Sequence, residues 1–238
     1  MKEWDDRKKT VICFPHAGAN ANMYAQWSKY FGPYYRVVIV DYPKKIFAGD
    51  RLKWKTVIDN LLEKLSTEMK DSYIFFGHSM GAMICFELTR LISQNQLQQP
   101  NHLFISSCRA PHLGLFESNR PSFQKITDDQ LVEQLVSFQG IPPYYLNHAE
   151  LLQDWLLEVR RHLIFCERYS YKQGASIQVP MTVFGGTTDP LVDKKSLKAW
   201  RVHTNDTFQS FFLPGNHFYF NNQPFKLIDK MKRVLQWA

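Results

Sequence analysis

Short apolar runs alternate along the chain with longer stretches in which apolar residues recur every three or four positions. The first pattern predicts buried strands and the second amphipathic helices. Thr10-Val11-Ile12-Cys13-Phe14, Arg36-Val37-Val38-Ile39-Val40-Asp41, Tyr73-Ile74-Phe75-Phe76 and Asn101-His102-Leu103-Phe104-Ile105-Ser106 are the strands of the first half. The near-continuous apolar run in the second of them is typical of strands covered on both faces. Residues 23–31 read as a helix ended by Gly32-Pro33, and Val57, Ile58, Leu61, Leu62 and Leu65 form the apolar face of the next. Residues 82–91 make a third helix, with no proline before Pro100. Such alternation predicts a mainly parallel sheet wrapped by helices on both faces.

The rhythm breaks at Pro111. From there to about Gly174 only helices are predicted. Thr127-Asp128-Asp129-Gln130 starts one, with Leu131, Leu135, Val136 and Phe138 behind it, and Ile141-Pro142-Pro143-Tyr144-Tyr145 interrupts. A long helix over residues 151–165 then sets Leu152, Trp155, Leu156, Val159 and Leu163 on one face. A helical insertion of about residues 112–175 between two strands reads as a lid, with some of its aromatics facing a cleft. The sheet resumes at Val179-Pro180-Met181-Thr182-Val183-Phe184, a helix follows over 193–200, and Phe208–Leu213 is the last strand. Residues 224–237 close the chain as a helix. No repeat, linker or low-complexity segment interrupts, so residues 1–238 read as a single domain with an inserted lid.

One turn carries the sharpest chemical signal. Gly77-His78-Ser79-Met80-Gly81 stands between a strand and a helix, the setting that turns a bare G-x-S-x-G into a nucleophile elbow. The turn is tight enough that side chains at positions 77 and 81 would strike neighbouring backbone. Ser79 is the predicted nucleophile. The Met80 N–H and the start of the helix both point to where a negative oxygen would form. After the first strand, Pro15-His16-Ala17-Gly18-Ala19-Asn20 is a small-residue loop placed to supply the second oxyanion donor, from the Ala17 N–H. His16 either lines the pocket or caps this loop.

A serine hydroxyl needs a base within hydrogen-bond reach. In this topology the acid and the histidine follow the serine in that order, each in a loop after a strand. Asp189, in Gly185-Gly186-Thr187-Thr188-Asp189-Pro190, and His217, in Pro214-Gly215-Asn216-His217-Phe218, meet both conditions. Asp193 is the reserve acid and His203 the reserve base among the eight histidines. Together they predict acyl transfer to water through an acyl-serine intermediate. No residue cluster calls for a metal or an organic cofactor, and none is expected.

Composition narrows the setting. At 45% hydrophobic and 15% aromatic residues, the 238-residue chain has ample material for one core. The charged start, Met1-Lys2-Glu3-Trp4-Asp5-Asp6-Arg7-Lys8-Lys9, lacks the apolar run of a secretory signal, and no stretch approaches a membrane span. Cys13, Cys85, Cys108 and Cys166 are scattered, which fits free thiols in a reducing cytoplasm better than a disulfide framework. The net charge of +7 draws anionic partners, but no nucleic-acid motif accompanies it, leaving an acidic protein or anionic substrate as the better match. No coiled-coil feature argues for more than a monomer.

Phe14-Pro15-His16-Ala17-Gly18-Ala19, Gly77-His78-Ser79-Met80-Gly81-Ala82, Gly185-Gly186-Thr187-Thr188-Asp189 and Gly215-Asn216-His217-Phe218 together resemble a type II thioesterase, over essentially the whole chain. These are the stand-alone editing enzymes of polyketide and nonribosomal peptide synthesis. The resemblance implies an α/β-hydrolase fold with an all-helical lid insertion. It also implies hydrolysis of acyl groups from the phosphopantetheine thiol of acyl or peptidyl carrier proteins. Ser79, Asp189 and His217 match the family triad, and Ala17 and Met80 its oxyanion donors. Carrier proteins are typically acidic, so the basic charge would steer the encounter. One place departs: where the family carries a Leu-Pro-Gly-Arg-like segment, this chain reads Asp41-Tyr42-Pro43-Lys44-Lys45. Rival readings are a chain-releasing medium-chain fatty acyl thioesterase, a general carboxylesterase, and a hydrolase-fold binding protein without catalysis.

Overall fold

The computed structural model describes residues 9–19, 21–42, 47, 53–116 and 120–236. The expectations resting on Met1 to Lys8, Asn20, Pro43-Lys44-Lys45 and Trp237 lie outside these residues. Six strands, β1 (Lys9–Phe14), β2 (Tyr35–Ile39), β3 (Tyr73–His78), β4 (His102–Ser106), β5 (Met181–Gly186) and β6 (Phe208–Leu213), form one sheet. All pairings are parallel, in the order β2-β1-β3-β4-β5-β6. The chain steps outward from β1 to β2, then crosses back to β3 on the other side of β1. The carboxyl ends of β1 and β3 therefore flank the point where the winding reverses, the natural crevice of an open α/β sheet.

Alternate residues of the central strands feed two cores. Ile12, Phe14, Tyr73 and Phe75 pack beneath α2 (Trp54–Leu65) and α3 (Met80–Gln94). Val11, Cys13, Ile74 and Phe76 face the other way, onto α1 (Trp27–Phe31) and α8 (Pro224–Gln236). The mainly parallel sheet wrapped by helices, expected from the sequence, is borne out. β2 is the edge strand, and its residues are at best half-buried. Its apolar run matches cover on both faces, with Tyr35, Val37 and Ile39 on one core and Val38 on the other.

The helix expected over 23–31 divides into a 3₁₀ turn (Ala21–Tyr24) and α1, so that Tyr24 and Trp27 both bury against Phe76. That expected over 193–200 is α7 (Lys194–Lys198) followed by a 3₁₀ stretch, Ala199–His203. The tighter winding buries Trp200 completely and lets its Nε1–H donate to the Cys108 carbonyl at 2.8 Å.

Between β4 and β5 the described residues hold helices and no strand of the sheet. These are α4 (Asp128–Ser137), α5 (Pro143–Leu146) and α6 (Ala149–Glu167). The start read at Thr127 is a capping box: the Gln130 N–H donates to Thr127 Oγ1 at 3.2 Å, and the Thr127 N–H to Gln130 Oε1 at 2.9 Å. The supposed interruption at 141–145 contains α5, which Pro143 starts with its preset φ. Leu131, Leu135, Trp155, Leu156 and Val159 give the insertion a core of its own. All four cysteines are buried and free. No described helix is long and apolar enough to cross a membrane.

Candidate active site

β3 passes into α3 through Ser79, whose φ of 54° and ψ of −117° lie where non-glycine residues are strained. Hydrogen bonds on both sides hold it there. The Ser79 N–H donates to the Ser106 carbonyl of β4 at 2.8 Å, and the Ala82 N–H returns to the Ser79 carbonyl at 3.0 Å. Gly81 lets the elbow press against the end of β1, since a Cβ there would sit 2.0 Å from the Phe14 carbonyl oxygen. Gly81→Ala is accordingly expected to cost about 3 kcal/mol or more in urea unfolding, as a backbone clash that no side chain can relieve. A variant as stable as the parent would show that β1 and the elbow can move apart freely.

That close approach brings the loop after β1 to Ser79. Ala17, Ser79, Met80 and His217 line one cavity of about 340 Å³. The amides of Ala17 and Met80 have no acceptor among the described residues, and Met80 opens α3, where the helix dipole favours negative charge. Tyr42 braces the loop from behind, its hydroxyl donating to the Pro15 carbonyl at 3.3 Å. It belongs to the segment that departs from the type II pattern.

Asp189 and His217 arrive on loops after the neighbouring strands β5 and β6. Gly186 permits this, because a Cβ there would lie 2.1 Å from the Asn216 carbonyl oxygen. His217 Nδ1–H donates to Asp189, at 2.9 Å from Oδ2 and 3.2 Å from Oδ1. Oδ1 also accepts the N–H groups of Leu191 (2.9 Å) and Val192 (3.3 Å). Burial acts to raise the Asp189 carboxyl, but the hydrogen bond and charge of His217, with the Leu191 amide, outweigh it and hold it low. With Nδ1 committed to donation, Nε2 is left as the acceptor.

Two further imidazoles crowd this group. The His78 ring lies 5.0 Å from that of His217, and the His16 ring 5.7 Å from that of His78. Burial chiefly drives both down, His16 to about 4 and His78 well below its usual range, and the charge of His217 adds to it. Neither ring bonds a carboxylate among the described residues, whereas His217 bonds Asp189. Sequence reasoning missed the chain of hydrogen bonds under the elbow, in which Tyr219 Oη meets Ser106 Oγ at 2.8 Å and Ser106 Oγ meets His78 Nδ1 at 2.9 Å.

The reserves are engaged elsewhere. Asp193 caps α7 by accepting the Ser196 N–H at 2.7 Å, and His203 shares a 2.7 Å hydrogen bond with His112. From the insertion, Phe116, Phe123, Leu135, Phe138 and Leu163 form the apolar wall of the cavity. Some insertion aromatics face the cleft as expected; Trp155 turns instead to Gly18, donating from Nε1 to its carbonyl at 2.8 Å. No group of metal-ligating side chains occurs among the described residues.

Parallel strands wrapped by helices, a serine elbow after β3 and an Asp–His pair after β5 and β6 define an α/β-hydrolase. A model of the thioesterase domain family matches residues 9–235, and the chain belongs to that family. The gramicidin S biosynthesis protein GrsT of Aneurinibacillus migulanus is 30% identical over 96% of this chain and 90% of its own. Among solved structures, RedJ, a thioesterase from the prodiginine pathway of Streptomyces coelicolor, superposes with a TM-score of 0.84 at 28% identity, over 94% of this chain and 85% of that one. BorB, the type II thioesterase of the borrelidin biosynthetic cluster, gives 0.81 at 26%, over 95% and 92%. The type II resemblance carried by the motifs is borne out, and the protein is an enzyme of thioester hydrolysis.

Proposed function

We propose that this thioesterase hydrolyses acyl groups from the phosphopantetheine arm of acyl or peptidyl carrier proteins, clearing stalled or mis-primed chains in nonribosomal peptide or polyketide synthesis. The observation that carries the reading is the Asp189–His217 pair opening, with Ser79 and two free amides, onto an apolar cavity of about 340 Å³. In this reading Ser79 Oγ attacks the thioester carbonyl while His217 Nε2 takes its proton, and Asp189 steadies the imidazolium. The tetrahedral oxyanion lies between the N–H groups of Ala17 and Met80. Its collapse breaks the C–S bond, and the pantetheine sulfur leaves with the proton from His217. Water, deprotonated by the same nitrogen, then cleaves the acyl-serine ester.

The insertion at about 112–175 acts as the lid over the acyl chain, its apolar wall matching a hydrocarbon rather than a sugar or a phosphate. The +7 charge favours docking of an acidic carrier to a monomeric, cytoplasmic enzyme. Release of acetyl and longer acyl groups from carrier proteins, followed by mass spectrometry beside the matching acyl-pantetheines, tests this. Faster, Ser79-dependent release from the carrier is expected. Equal rates on both would make the carrier incidental and move a general esterase ahead.

A further inference from the structure

The loop that presents the Ala17 amide is gripped from the far side by the insertion. The Gly18 N–H donates to His162 Nδ1 at 3.0 Å, and the Gly18 carbonyl accepts from Trp155 Nε1 at 2.8 Å. Gly18 has a φ of 77°, and a Cβ there would lie 2.3 Å from Val159 Cγ2. Trp155, Val159 and His162 recur at i, i+4 and i+7 of α6, so they share one face of that helix. Three side chains thus close around one residue, holding the peptide groups on both of its sides.

The partners are built for this contact. His162 and Trp155 are both buried, and the Trp155 ring is stacked by Tyr145 of α5 at 5.1 Å. Accepting an N–H requires His162 Nδ1 to be unprotonated. Burial, aided by the charges of His16 and Arg161, keeps the ring neutral by holding its pKa at about 3. A hydrophobic residue at 162 would pack there equally well, yet would leave the Gly18 N–H unpaired.

We propose that Trp155 and His162 are positioning residues for thioester hydrolysis: by clamping Gly18 they set the Ala17 N–H at the oxyanion site, and they do so only while α6 is seated on the sheet. The inference rests on the reading above that Ala17 is an oxyanion donor. Both bonds come from one helix, so lifting α6 releases them together and ties the chemistry to closure of the insertion over the acyl chain.

The test is the hydrolysis of hexanoyl-pantetheine by Trp155→Phe, His162→Leu and His162→Gln, with Ser79→Ala as control. Rates of the Trp155 and His162 variants are expressed per site titrated with a fluorophosphonate, that of Ser79→Ala per protein, and each variant is melted. Trp155→Phe and His162→Leu are expected to lose about tenfold or more in kcat with KM within about twofold, since a misplaced oxyanion donor weakens only the transition state. His162→Gln, which keeps an acceptor, should recover most of the loss. A packing role alone would lower the melting temperature and leave kcat per titrated site intact. If His162→Leu does not fold, Trp155→Phe decides the matter: it removes the donor, and its kcat per titrated site beside its melting temperature separates that loss from the smaller ring's lost packing. Parental kcat in Trp155→Phe with an inactive Ser79→Ala overturns the clamp and leaves the hydrolase reading standing. An active Ser79→Ala brings both down.

Discussion

Ser79→Ala is expected to lower kcat by about 10⁴- to 10⁶-fold on any acyl thioester, while the fold and substrate affinity survive. The backbone of the elbow is set by the hydrogen bond from the Ser79 N–H to the Ser106 carbonyl and by the start of α3, neither of which uses the hydroxyl. Alanine therefore keeps the turn and both proposed oxyanion amides, and removes only the atom proposed to attack. What remains should be the slow attack of water assisted by those amides. Ser107 and Ser137 also line the cavity, so they are the hydroxyls to pursue if single-turnover assays show Ser79→Ala within about tenfold of the parent. The companion Ser79→Gly should be equally inactive but more stable by about 1 kcal/mol, because glycine adopts a φ of 54° without strain. An unchanged urea midpoint would mean that the elbow stores no strain.

The candidate group was legible because each part of it is local. A strand, a turn and one functional side chain stand within a few residues at Ser79, Asp189 and His217, and a parallel sheet delivers such turns to one edge. The capping box at Thr127 is legible for the same reason. The clamp on Gly18 was not, since its partners stand 137 and 144 residues downstream. One signal existed: His162 lies three residues after Val159, on the apolar face of the insertion's long helix. A lone polar residue on an apolar stripe requires a partner, but the pattern does not say where that partner is. The edge position of β2 was hidden in another way. Tyr35, Val37 and Ile39 pack on one core and Val38 on the other, and an apolar run covered on both faces does not say whether its strand is central or at an edge.

Asp189→Asn is expected to reduce kcat by about 10⁴-fold with the geometry of the site almost unchanged. The reason lies in how the carboxylate is shared. Oδ1 accepts the amides of Leu191 and Val192, so an asparagine would place its carbonyl oxygen there. Its NH₂ would then occupy the Oδ2 position, 2.9 Å from His217 Nδ1, where the present oxygen accepts the Nδ1–H hydrogen bond. Two donors cannot face each other, so His217 would keep Nδ1 unprotonated and carry its hydrogen on Nε2. A base in that tautomer has no lone pair for the Ser79 proton. The same contact links the site to stability. The Asp189 carboxyl is held below its ordinary 3.8, so the stability it contributes is complete above that value and is lost as the pH falls through the depressed one. Urea unfolding should therefore separate parent and Asp189→Asn most at neutral pH, with the gap narrowing below about pH 4. A variant within tenfold of parental kcat would mean that His217 takes its tautomer from something other than Asp189. A stability gap that grew on acidification would mean that the carboxylate is destabilised by its burial more than His217 and the two amides favour it.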